Sequence, residues 1–94
     1  MRVMTLSNVK LLADLMTELE SLKTTNLKDY ILNRYESSQY PNQYVLSLQW
    51  NESYFPPVTD ELEFTIEPND TITTSEAIPE HFNSVAEFMQ YILS

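Results

Sequence analysis

Leu12, Leu15, Met16, Leu19 and Leu22 recur at intervals of three and four residues, the spacing that lines one face of an α-helix. Lys10, Asp14, Glu18 and Ser21 fall on the opposite face. The pattern therefore predicts a helix from Ser7 to about Lys23, laid on a core rather than enclosed by one. Ser7 is the expected N-cap, because a serine hydroxyl accepts from the first unpaired N–H groups of a helix. A second helical pattern follows over 26–36, where Leu27, Tyr30, Ile31 and Tyr35 share a face. Asn26 with Asp29 resembles a capping arrangement in which aspartate replaces the usual glutamate or glutamine.

After the second pattern the period shortens. Ser37–Asn42 is polar, contains Pro41 and reads as a connector. Tyr44, Leu46, Leu48 and Trp50 then alternate with Val45, Ser47 and Gln49, which predicts a strand with one face on the core. Tyr54-Phe55-Pro56-Pro57-Val58 is apolar, but prolines donate nothing to a ladder, so an extended connection or a sheet edge is expected. Leu62, Phe64 and Ile66 alternate with Glu61, Glu63, Thr65 and Glu67 in the cleanest strand pattern of the chain.

Pro68-Asn69-Asp70 supplies a turn whose three-residue loop pairs Glu67 with Thr71 and Ile66 with Ile72, leaving both isoleucines on one face. Residues 75–83 read as a connector. Ser84 with Glu87 makes a capping box, and Val85, Phe88, Met89 and Ile92 predict a short terminal helix. The order ααβ(β)ββα defines an α+β domain spanning 1–94, with an antiparallel sheet of three to four strands and helices packed on one face.

Composition restricts the chemistry. The chain has no cysteine and one histidine, His81, which leaves no thiolate metal site, no disulfide and a poor set for nucleophilic catalysis. It also has no glycine, where average usage predicts roughly six. Phosphate-cradling loops and dinucleotide fingerprints, which need glycine, are thereby excluded. Any residue at positive φ must be asparagine or aspartate, and Asn42, Asn51, Asn69, Asp70 and Asn83 are the candidates. Asp60, Glu61, Asp70 and Glu76 are hard oxygen ligands, but no window has the ligand spacing of a calcium loop. The expectation is a non-enzyme without metal or cofactor. Met1–Leu19 lacks the apolar run of a signal peptide, and no segment has the length of a membrane span, so a soluble cytoplasmic protein is expected.

Charge then sharpens the picture. Five cations and four carboxylates lie within positions 1–34, a net +1, whereas Tyr35–Ser94 holds ten carboxylates and no lysine or arginine. If Leu62, Phe64 and Ile66 face the core, Glu61, Glu63 and Glu67 form a row on the other face, spaced about 6.5–7 Å per two residues. Like charges so placed repel. A row of this kind without interspersed bases suits attraction to a cationic surface and disfavours direct contact with nucleic acid or an anionic membrane.

Trp50, Tyr54, Phe55, Tyr40 and Tyr44 gather near the start of the sheet, with Tyr54 and Phe55 as the expected exposed pair. The candidate partner-binding residues are Glu52, Tyr54, Phe55, Asp60, Glu61, Glu63, Glu67, Asp70 and Glu76. In size, acidity and lack of catalytic side chains the chain resembles phage-encoded inhibitors of host defence, including DNA mimics and anti-CRISPR proteins, and immunity proteins that neutralise nuclease toxins. The resemblance is one of composition over the whole chain. It implies an inhibitor, monomeric or weakly dimeric, that occupies the basic, nucleic-acid-binding surface of a partner protein. The alternative is a small adaptor that binds through an apolar-aromatic patch.

Overall fold

The structure, a computed structural model, describes residues 5–35, 42–51 and 59–93. Helix α1, Leu6–Leu22, buries Leu15 and Leu19 as expected, but the stripe is rotated toward Leu11, which was not among the expected residues, and Leu12 and Leu22 are only partly buried. Its N-cap is Thr5, two residues earlier than the expected Ser7: Thr5 Oγ1 accepts from Asn8 N–H at 3.1 Å, while Asn8 Oδ1 accepts from Thr5 N–H at 3.4 Å. Threonine and asparagine thus form the reciprocal box that exposed Ser7 does not. Met16 is 44% exposed and lies beside the buried stripe rather than in it.

The segment expected as a second helix is strand β1, Leu27–Arg34. It pairs antiparallel with β2, Gln43–Trp50, through Tyr30 with Leu48 and Leu32 with Leu46. The register shifts between Leu27 and Asp29, and this bulge explains the misleading pattern. An extra residue, Lys28, changes the strand's phase, so Leu27 and Tyr30 both turn toward the core although they are three apart. Three-residue spacing of apolar residues is the helical signature.

Strand β3, Thr59–Ile66, pairs with β2 through Leu46 with Leu62 and Tyr44 with Phe64. The turn after it brings Glu67 N–H to Thr71 C=O at 2.8 Å and sets Ile66 opposite Ile72 of β4, Ile72–Thr74, the register expected from the sequence. Asp70 has φ 68°, the left-handed conformation that an aspartate tolerates in place of glycine. The connector expected over 75–83 contains one further short strand, β5, His81–Phe82, which pairs with β4. Helix α2, Val85–Leu93, begins at Ser84, whose Oγ accepts from Glu87 N–H at 3.2 Å; the Glu87 carboxylate reaches one residue further back, to Asn83 N–H at 2.6 Å.

The fold is α+β: five antiparallel strands in the order β1-β2-β3-β4-β5, with α1 and α2 against one face. The fifth strand and the helix-to-strand change at β1 revise the count of three to four. Tyr44, Phe64, Phe88, Phe82 and Tyr91 run through the core as a chain of ring contacts with centroids 5.0 to 5.6 Å apart, within the range of favourable aromatic pairs. Asn8, fully buried, ties the start of α1 to the β3–β4 turn by donating to Glu67 C=O at 3.1 Å and to Asp70 Oδ1 at 2.5 Å.

Candidate functional site

Alternation along the strands sorts side chains onto two faces. On the face away from the helices, the register lines up Ile31 with Ser47 and Glu61, and Asn33 with Val45 and Glu63. Glu61 is exposed and Glu63 half-buried, and their cross-strand partners Ser47 and Val45 carry no charge. No lysine or arginine occupies a register position of this face. Arg34 pairs with Tyr44 on the helix side, and Lys28 is the unpaired residue of the bulge. Asp29 also belongs to the open face, where it borders a shallow hollow of about 240 Å³ with Ile31, Ser47, Gln49 and Thr59. Among the described residues, the ion pairs are those of Lys23, 3.7 Å from both Glu20 and Asp29. Among the described residues, therefore, no cation forms an ion pair with Glu61 or Glu63 on this face.

The other candidates divide by location. Glu67 continues the parity of Glu61 and Glu63 but sits at the turn, its carbonyl taken by Asn8 and its side chain half-buried. Asp70 is held in that turn by Asn8. Asp60, next to Glu61 in sequence, shares the helix-side parity of Leu62 and accepts from Trp50 Nε1–H at 2.7 Å. Glu76 follows β4 on the same side, where its Oε1 accepts from Tyr91 O–H at 2.9 Å. That hydrogen bond, followed by partial burial, holds the Tyr91 phenol above its ordinary value. Glu52, Tyr54 and Phe55 lie outside the described residues. The six described candidates thus do not form one acidic surface. By strand parity Glu61 and Glu63 share the open face, while Asp60 and Glu76 border a groove toward the helix side whose rim also includes Glu61.

That groove, about 350 Å³, runs over Leu48, Leu62 and Ile92, with Trp50 and Tyr91 beside it. Neither Tyr91 nor the pairing of Trp50 with Asp60 was anticipated from the sequence. Trp50 and Asp60 meet because Leu48 pairs with Asp60, which puts Trp50 at the diagonal position on the same face, within reach of a long side chain. The signal lies in the register of β2 on β3, which no local apolar pattern reports.

Among the described residues, no three His, Asp or Glu side chains gather as a metal site, and no described helix is long and apolar enough to cross a membrane. Architecture and site together define a small α+β domain with an acidic sheet face that no described helix covers. Compared with protein families, curated proteins and solved structures, the chain gives no match to any of them.

Proposed function

We propose that this chain is a non-catalytic acidic inhibitor that docks the open face of its sheet on the basic, nucleic-acid-binding surface of a partner protein. The observation that carries this reading is the unneutralised pair Glu61 and Glu63, set between uncharged cross-strand neighbours on a face that no described helix covers. A groove built for phosphates presents lysine and arginine, and carboxylates fixed on a sheet meet such a surface without ordering a flexible segment first. Neutralisation of a nuclease toxin and interference with a phage-defence effector are two forms of the same chemistry. A cytoplasmic location belongs to the proposal and is supported by the absence of cysteine.

In a test of this reading, the tagged chain captures a protein that itself binds DNA or RNA, and adding the chain displaces that nucleic acid. The association weakens as salt rises from about 0.05 to 0.5 M, because the Debye length shrinks well below roughly 10 Å. The double reversal Glu61→Lys with Glu63→Lys abolishes capture. Capture that persists through both salt and charge reversal would sink the assignment to the open face. It would favour the adaptor reading, which has a specific feature in its support: Leu6 and Val9 on α1 are 87% and 47% exposed.

A further inference from the structure

Deepening that reading, and resting on it for the kind of partner, we propose that the helix-side groove is a socket for one arginine side chain of the partner. Its floor is apolar: Leu48 is buried, and Leu62 and Ile92 are half-buried against the core. An aliphatic stem fits such a floor while the charged head stays near water. Three carboxylates line the groove, Asp60 and its neighbour Glu61 from β3 and Glu76 from the segment after β4. Asp60 and Glu76 are each already oriented by an aromatic donor, Trp50 N–H on Asp60 Oδ2 and Tyr91 O–H on Glu76 Oε1. One oxygen of each is committed, which leaves the other to accept from an incoming N–H group.

The occupant is fixed by this chemistry. A cation is required because, among the described residues, no lysine or arginine lines the groove to balance Asp60, Glu61 and Glu76. A guanidinium is favoured over an ammonium because it is planar, stacks on indole and phenol rings, and carries five donors in a rigid fork able to engage two separate carboxylates. The volume of about 350 Å³ lies at the small end of the range for ligand pockets, roughly 300–1,000 Å³, which suits a single side chain. The walls are anchored, since Tyr91 contacts Phe82 at 5.0 Å in the aromatic chain of the core.

Trp50 is the chain's single tryptophan, so its fluorescence reports the groove directly. The intact chain is titrated at low ionic strength with acetyl-Gly-Arg-Gly-amide, and a saturable change is expected with a dissociation constant on the order of millimolar. The citrulline peptide, equal in shape but uncharged, gives no saturable response, and the lysine peptide binds more weakly. Asp60→Asn with Glu76→Gln keeps acceptors for the indole and the phenol but removes both charges, and weakens binding by about tenfold or more. Glu63→Gln, on the other face, leaves binding within about twofold. Circular dichroism confirms that each variant folds, and Tyr91→Phe provides a second, milder test of the Glu76 wall.

An unsaturable titration overturns the socket, as does a response that citrulline reproduces or that survives the double substitution. Equal affinity for lysine and arginine peptides overturns the guanidinium assignment. The titration needs no partner, so its failure leaves the open-face reading standing. Loss of that reading in the capture experiment leaves the titration result intact.

Discussion

Asn8 carries no charge, yet its side chain is fully buried and its polar contacts join two distant parts of the chain. It completes the cap of α1 with Thr5 and donates to Glu67 C=O and Asp70 Oδ1 across 59 and 62 residues of sequence. Asn8→Ala leaves the Glu67 carbonyl and the Asp70 carboxylate without this donor, which costs about 1–3 kcal/mol. Thr5→Ala removes only a cap, about 1 kcal/mol. Urea unfolding should therefore find Asn8→Ala the more damaging of the two, and an equal loss would mean that the link to the turn contributes nothing. Asp70 was legible as one of five residues able to take positive φ; its partner was not, because no local pattern reports a contact 62 residues away.

Tyr91 yields a pH dependence at the same scale. Its phenol is held above the ordinary value of about 10, first by the bond to Glu76 and then by burial, so folding favours the protonated form. The stability it contributes is fully present below the unfolded phenol value and disappears as pH rises through the higher folded value. Tyr30 shifts the same way, through burial first and then its bond to Glu20. Phenolate absorbance of the native protein minus that of Tyr91→Phe should titrate with a midpoint above 10, and a midpoint at or below 10 would contradict the Glu76 bond.

At the scale of elements, β1 separates what periodicity can predict from what it cannot. The strands β2 and β3, the turn at 67–71 and the helix at Val85 were legible because alternation and turn chemistry agree there. In β1 the bulge after Leu27 gives the apolar residues helical spacing, and only pairing with β2 resolves the ambiguity. The two assignments predict opposite mutational results. A helix would bury Ile31 with Leu27 and Tyr30, whereas the strand leaves Ile31 58% exposed and packs Leu32 on the core. Ile31→Ala should change stability by no more than about 0.5 kcal/mol. Leu32→Ala should cost about 2 kcal/mol, the low end for a leucine truncation because Leu32 is only partly buried. Thermal or urea unfolding of the pair decides between them, and the reverse order would restore the helix.

For the whole molecule, charge acts with opposite signs on folding and on binding. The chain carries a net −9, the ion pairs among the described residues involve Lys23 alone, and Glu61 and Glu63 share an uncovered face. This much of the site was legible, since strand parity and a list of charges suffice to derive it. That Asp60 meets Trp50 across the sheet, beside Glu61 at the rim of the same groove, needed the register of β2 on β3, which the pattern of 52–58 did not supply. Self-repulsion of like charges destabilises the compact state, and salt screens exposed charges over about 10 Å at 0.1 M and about 3 Å at 1 M. The melting temperature should therefore rise with sodium chloride between these concentrations, and Glu61→Gln with Glu63→Gln should both raise stability at low salt and flatten that rise. Binding to a cationic partner should weaken over the same range, because screening removes the attraction that draws the two surfaces together. A fold stabilised by salt whose complex is dissolved by it is the expected signature of carboxylates held for a partner. If the complex proved insensitive to salt while the fold was stabilised, the acidic face would serve solubility and the partner would have to be sought at the exposed side of α1.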